Sequence, residues 1–197
     1  MWQAAGAMTS RPLSRRLVLH AALGTAALQV PLAALAGFNF FTSEYTASRD
    51  ELQAQVVKRF PVRQRYAELF TVALREPRLS LDATTNRAAI AALVTIGSPL
   101  LNPPSVEGVI MVSSALKYDP AALAIRLDQP KAERLELQGM TGRDAERLQQ
   151  IGALVAQELL RDYALIAFKP EQLTVGRKTY QIGQITVEPD DIRVELK

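Results

Sequence analysis

The sequence predicts an α+β fold in which a curved antiparallel sheet packs on one long C-terminal helix, with a short N-terminal helix ahead of it. Three observations support this class. Apolar residues alternate at period two through most of residues 70–137, as in half-buried antiparallel strands. They recur at helical spacing after residue 141. A capping box at 48–51 begins a shorter helical stretch.

The short helix follows Ser48-Arg49-Asp50-Glu51, in which the Ser48 hydroxyl can accept from the backbone N–H of Glu51 while the Glu51 side chain reaches back. Pro61 ends this helix. Its single apolar face consists of Leu52, Val56 and Phe60.

Two hairpins supply the sheet. The first joins strands at 70–81 and 88–96 through a turn at 82–86, and the second joins 109–118 to 123–137 through Asp119-Pro120. Pro77 indicates an edge or a bulge, and Pro77 and Pro130 are typical of strands whose edges are protected from pairing. The strands are long, so we expect the sheet to be curved.

The major helix is expected to start at a cap formed by Thr141 and Asp144 and to run to about Tyr163. Its wide apolar face needs a broad partner, which the curved sheet provides. Two short strands, 179–187 and 192–196, follow. The central stripe of the helix consists of Leu148, Ile151, Val155 and Leu159.

Residues 1–36 are typical of a cleaved export signal peptide. We expect residues 37–197 to form a single domain. Arginines precede an uncharged run from 17 to 37, and Ala34-Leu35-Ala36 predicts cleavage after Ala36, so that the mature chain begins at Gly37. The segment around Arg15-Arg16 resembles the twin-arginine export motif, although an ordinary Sec leader fits as well. Either route predicts the periplasm.

The leader also accounts for the basic character of the chain. It holds three of the 23 Lys and Arg residues and none of the 20 Asp and Glu residues, which leaves 20 of each sign in the mature part. The only His and the only Trp, His20 and Trp2, leave with it, and the chain has no Cys. A neutral domain without His or Cys gives no support to a nucleic-acid partner, and we expect neither a cofactor nor a metal site.

The order of several short motifs resembles the YceB-like envelope lipoproteins, a family without an assigned activity. The resemblance covers essentially the whole mature chain. It implies a fold similar to the tubular lipid-binding (TULIP) proteins, with a strongly curved antiparallel sheet wrapped around a long helix and an apolar channel between them. The motifs that carry it are Tyr45-Thr46, Arg59-Phe60-Pro61, Leu79-Ser80-Leu81, Asn86-Arg87 and residues 113–120, SSALKYDP.

One position departs from the lipoprotein pattern. Leu35-Ala36-Gly37-Phe38 looks like a lipobox in which Phe38 stands where the acylated cysteine is expected. A phenylalanine cannot be acylated, so we expect no stable membrane anchor at this position.

The function expected from these observations is non-enzymatic binding of a lipid or other apolar molecule in that channel. The alternative for each channel residue is ordinary core packing, since buried aliphatic residues usually only pack. A second class is an envelope scaffold without a small-molecule ligand, which would pair through a strand edge. The predicted channel contacts are Ile110, Val112, Leu116, Ile151, Val155 and Leu159.

No catalytic residues are predicted. A hydrolase without His or Cys would need a Ser-Lys pair or two carboxylates. Ser113-Ser114 with Lys117 is better explained as strand hydroxyls, and Asp190-Asp191 as a turn, because neither lies in a nucleophile motif. The segment 139–142 before the major helix could hold an anion, but a plain helix start explains it.

Overall fold

Antiparallel β-structure makes up most of the chain that the computed structural model describes, which is residues 37–39, 42–175 and 177–197. The predicted leader, with Arg15, Arg16, Ala34 and Ala36, lies outside the described residues, and Gly37 is the first described residue. The described residues form two α-helices, α1 (Arg49–Arg59) and α2 (Arg143–Leu160), and a 3-10 turn (Pro170–Leu173).

Twelve strands complete the described part of the chain. In chain order they are β1 (Gly37–Asn39), β2 (Glu44–Ser48), β3 (Val62–Tyr66), β4 (Phe70–Asp82), β5 (Arg87–Gly97), β6 (Ser105–Asp119), β7 (Ala124–Leu137), β8 (Ala164–Ala167), β9 (Thr174–Val175), β10 (Lys178–Thr179), β11 (Ile182–Val187) and β12 (Asp191–Leu196).

These strands form two main sheets. The larger has six strands in the order β3-β4-β5-β6-β7-β8, and the smaller has four in the order β1-β2-β12-β11. The smaller sheet joins the two ends of the domain, because Thr46 of β2 pairs with Arg193 of β12. Both sheets contribute to one hydrophobic cluster, to which the smaller sheet adds Ala47, Ile192 and Val194.

The prediction of an α+β fold with a sheet wrapped around one long helix is wrong. Strands dominate the described chain, and α2 is an 18-residue helix that ends at Leu160. The antiparallel curled sheet is present, but α2 is not its sole partner, because the second sheet contributes to the same core.

The short helix α1 confirms its predicted cap. The backbone N–H of Ser48 donates to Glu51 Oε2 at 3.1 Å, and the N–H of Glu51 donates to Ser48 Oγ at 3.5 Å. Leu52 and Val56 are buried, and the helix gives way to extended backbone at Phe60. Local capping chemistry therefore fixes where this helix begins.

A bulge in β4 brings α1 and the larger sheet together. The pairing of β4 with β5 shifts between Arg75 and Arg78, which places Pro77 at a bulge, as its position in a strand predicts. Gln53 of α1 binds this irregular backbone with both ends of its amide: its nitrogen donates to Pro77 O at 2.8 Å, and its oxygen accepts from the N–H of Leu79 at 2.6 Å. Pro130 lies in β7 beyond residues 124–126, the part of this strand that pairs with β8, and at an irregularity in its pairing with β6. This is the position expected of a proline at an unpaired strand edge.

Helix α2 packs closely on the larger sheet. A Cβ atom added at Gly152 would lie 2.7 Å from Ile96 Cδ1 and 2.9 Å from Leu135 Cδ2. Small residues thus form the closest contact, whereas Leu154 is exposed. The buried face of α2 consists of Ala145, Leu148, Gly152, Val155, Ala156 and Leu160.

The start of α2 differs from its predicted cap. The residue before the helix is Gly142 in a left-handed conformation (φ 77°), and no side chain caps it. The N–H of Glu146 bonds to the Gly142 carbonyl at 3.2 Å. Neither of the described helices is long and apolar enough to cross a membrane.

Candidate functional site

The six predicted channel residues lie in or against the hydrophobic core. Ile110, Val112 and Val155 are fully buried. The other three, Leu116, Ile151 and Leu159, are partly buried and pack against the same cluster. Because α2 touches the sheet at Gly152, side chains fill the space between them at that level. The role of these six residues as ligand contacts stays a prediction.

A large groove lies on the other side of the larger sheet, and we name it the α1 groove. It encloses about 1060 Å³ and is open to solvent. One wall is a single face of α1, since its lining residues follow helical spacing. These residues are Arg49, Asp50, Gln53, Val57 and Phe60.

The floor of the α1 groove is a row of directly paired residues that crosses four strands. Arg63 of β3 pairs with Ala73 of β4, Ala73 with Thr95 of β5, and Thr95 with Glu107 of β6. Their immediate neighbours along the strands, such as Val72 and Leu74, point to the opposite face and are fully buried. The small side chains of Ala73 and Thr95 therefore leave the middle of the groove open.

The rim of the α1 groove carries charges of both signs. Arg75 Nη2 lies 2.6 Å from Glu107 Oε1, so the charges of these two side chains neutralise each other. Arg63 and Arg78 make no ion pair within the described residues, and two lining carboxylates, Asp50 and Glu76, make none there either. The groove thus combines an apolar wall with charged groups that are available to a ligand.

A smaller cavity of about 300 Å³ lies on the other flank of α1, between this helix, β2 and β8. Its lining includes Tyr45, Ala47, Leu52 and Leu165. Burial raises the pKa of the Tyr45 phenol, and the nearby Glu51 carboxylate raises it further. The lining of this cavity also includes the polar residues Glu51, Gln55 and Arg59, and its volume is less than a third of that of the α1 groove.

The two pairs weighed as catalytic have other partners in the structure. Lys117 Nζ lies 3.0 Å from a carboxylate oxygen of Asp128 and 3.0 Å from one of Asp162. Hydrogen bonds to Asp162 and Asp128 raise the pKa of Lys117, which opposes the neutral amine that a Ser-Lys pair requires. Ser113 Oγ donates to Glu133 at 2.7 Å.

The second candidate pair, Asp190-Asp191, lies where β11 turns into β12. Asp190 binds Arg49 through its carboxylate at 3.4 Å and through its backbone carbonyl at 2.8 Å. Asp191 begins β12 opposite Ser48. These contacts give both residues a role in joining α1 and β2 to the end of the chain.

Phe38, at the position of the expected lipoprotein cysteine, belongs to an aromatic cluster. Its ring centroid lies 4.8 Å from that of Tyr45 and 6.1 Å from that of Phe168. The Tyr45 and Phe168 rings meet edge to face at 5.0 Å. Phe38 therefore packs β1 against the domain.

No family model and no curated protein matches the chain, so membership of the YceB-like family stays a prediction. Among solved structures, the chain is similar to a lipopolysaccharide binding protein, with 10% sequence identity and a TM-score of 0.31. The match covers 82% of this chain and 41% of the other, so this chain spans less than half the length of that protein. The function proposed below rests on the geometry of the α1 groove.

None of the predicted channel residues lines the α1 groove. The sequence held one signal for it, which is Pro77 in a strand, since a bulge there lets a helix approach the sheet. The groove also depends on the contact of Gln53 with the bulge. Gln53 lies 24 residues before Pro77 and 26 residues before Leu79. No periodic pattern could have indicated such a contact.

Proposed function

We propose that the chain is a non-enzymatic binding protein for a lipid or other apolar molecule and that it works in the periplasm after export. The α1 groove is the observation that supports this most. Ligand sites are concave, mostly apolar and about 300–1,000 Å³ in volume, and a groove of about 1060 Å³ reaches the upper end of that range.

The lining indicates what part of a ligand would lie where. Val57, Phe60 and Pro61 offer apolar surface along one side, and Ala73 leaves room on the floor. A hydrocarbon chain would lie along this side, because apolar surface removed from water is worth roughly 25 cal/mol per Å². Polar end groups of the ligand would face the charged rim.

Val57 gives the direct test because its side chain is 49% exposed and lines the groove. Val57→Gln should weaken binding of a fluorescent fatty acid and of uncharged phenylnaphthylamine by about tenfold, since about 1.4 kcal/mol of apolar contact is lost. Leu154→Gln is the matched control, because Leu154 is 57% exposed on α2 and lies outside the groove lining.

Saturable probe binding that Val57→Gln weakens and Leu154→Gln leaves unchanged supports the proposal. Absence of saturable binding by the folded wild type would overturn it. A stoichiometric protein partner recovered with the purified chain, in place of an apolar molecule, would favour the scaffold function instead.

Export has a separate test. Replacing Arg15 and Arg16 together by Lys should block export if the leader uses the twin-arginine route, because that route requires the arginine pair while Sec requires only positive charge. Fractionation of cells measures the outcome, and unchanged periplasmic yield would indicate Sec. Intact mass of the exported chain should correspond to a start at Gly37, and a product that retains the leader or carries acyl chains would contradict this.

A further inference from the structure

Three loops meet at one end of the larger sheet, and we name this region the loop end. The β3–β4 turn lies there because Tyr66 pairs with Phe70. The β5–β6 loop, residues 98–104, lies beside it, since Gly97 pairs with both Thr71 and Ser105. The β7–α2 loop, residues 138–142, joins them through a 2.8 Å hydrogen bond from the N–H of Gln138 to Glu107 O.

The loop end exposes large apolar side chains. Leu100 is 70% exposed, which is the highest value among the exposed large hydrophobic residues of the described chain. Tyr66 and Leu69, in the adjacent turn, are each nearly half exposed. Leu101 and Met140 pack against the core and hold two of the loops in place. The exposed side chains therefore project from an anchored base.

The loop end is also almost free of charge. Residues 98–104 and 138–142 contain no charged side chain. The only charged residue of the β3–β4 turn, Glu68, pairs with Arg65 at 3.3 Å. Entry of this end into an apolar phase would thus remove few ionic groups from water, and buried unpaired ions are the main cost of such entry.

Cations lie just behind the apolar tip. Arg63 is three residues from Tyr66 along β3, or roughly 10 Å at the rise of a strand. Arg143 follows the β7–α2 loop directly and makes no ion pair within the described residues. Guanidinium groups at that depth would meet the phosphates of a lipid layer whose interior receives Leu100. Tyrosine suits the boundary between the two.

We infer that the loop end docks reversibly on the surface of a phospholipid bilayer. A stable protein partner would need about 800 Å² from each side, and three separate side chains on loops do not offer such a patch. A bilayer requires no complementary pocket. The α1 groove is close to the loop end, because its floor residue Thr95 is two residues from Gly97. A docked chain would receive lipid into this groove, and this step rests on the proposed function.

Vesicle sedimentation of the mature chain, residues 37–197, tests the docking, because the apolar run of the predicted leader would itself bind vesicles. We expect the chain to bind phosphatidylcholine vesicles and to bind more strongly when the vesicles also contain phosphatidylglycerol. High salt should remove this increase in binding but should leave the binding to phosphatidylcholine, which depends on apolar contacts. Leu100→Gln and Leu69→Gln should each lower the partition coefficient by about tenfold or more. Leu154→Gln, at a leucine outside the loop end whose 57% exposure lies between those of Leu69 and Leu100, should leave it unchanged.

A fluorescence reporter gives a second readout that does not depend on loss of binding. Trp2, the only tryptophan of the chain, belongs to the predicted leader, so Leu100→Trp in the mature chain places a single indole at the loop end. Its emission should shift to the blue when vesicles are added, whereas Leu154→Trp in the same background should not shift.

The possible results are separable. No sedimentation of the wild type with either vesicle, equal loss in Leu154→Gln and Leu100→Gln, or an indole at position 100 that stays in water would overturn the docking. A dimer in solution that Leu100→Gln dissociates would overturn it too, because the loop end would then be a protein interface. Val57→Gln should weaken probe binding without changing sedimentation, so docking and the proposed function can fail independently.

Discussion

Replacing Val155 by Trp separates a filled core from an open channel beneath α2. Val155 is 3% exposed on the face of α2 that meets the larger sheet. Overpacking a filled core costs about 1–3 kcal/mol, and each kcal/mol lowers the Tm of a domain of this size by about 2–4 °C. We therefore expect Tm to fall by about 2–12 °C, as measured by circular dichroism. Leu154→Trp, one residue away and exposed, should change stability by less than about 0.5 kcal/mol.

The contrary result is equally definite. If Val155→Trp left Tm unchanged but abolished binding of a fluorescent fatty acid, the space beneath α2 would be the channel that the sequence predicts. The close contact at Gly152 would then exist in only one of two arrangements of α2 on the larger sheet. Ile151→Trp and Leu159→Trp test the same point from partly buried positions.

The remaining predictions concern packing and charge elsewhere. A methyl group at Gly108 would lie 2.1 Å from a backbone carbonyl oxygen of β7, whereas one at Gly97 would meet only carbonyl oxygens at 3.8 and 3.9 Å; thermal melts should therefore show a large loss of stability for Gly108→Ala and little or none for Gly97→Ala. Gln53→Ala should cost about 1–3 kcal/mol in chemical denaturation, because two backbone groups of the β4 bulge lose their partner; an unchanged midpoint would mean that water replaces the amide. The hydrogen bond and charge of Lys117 hold the pKa of the Asp162 carboxyl below its ordinary value, so NMR titration of Lys117→Met should show that pKa higher, while an unmoved titration would exclude the pair as the cause. The contribution of this pair to stability is present above the ordinary carboxyl pKa and is lost as pH falls through the lowered one.

Features set by neighbouring residues were predictable from the sequence. The capping box at Ser48 and Glu51 lies within one turn of helix, and it begins α1 as predicted. The turn between β4 and β5 is similar, since Asp82 accepts hydrogen bonds from the N–H groups of Thr84 and Thr85 at 2.9 and 3.3 Å. Such contacts need only the local sequence, so pattern and spacing identify them.

Features that join distant residues were not predictable. The second sheet depends on β2 pairing with β12, about 150 residues later, as in the pair of Tyr45 and Val194, and alternation within a strand does not identify its partner. The predicted stripe of α2 is also incomplete, because it leaves out the small residue Gly152, which lies on the buried face. Close approach of a helix to a sheet depends on small residues, which a search for hydrophobic stripes undervalues.

Native mass spectrometry of the chain purified from the cells that express it tests the central claim most directly, because it measures the mass of the folded protein together with any bound molecule. We predict a species heavier than the polypeptide by the mass of an apolar molecule, which organic extraction releases and which Val57→Gln reduces while Leu154→Gln does not. A folded wild type that carries no such mass and takes up none from added lipid would contradict the claim that the α1 groove binds lipid.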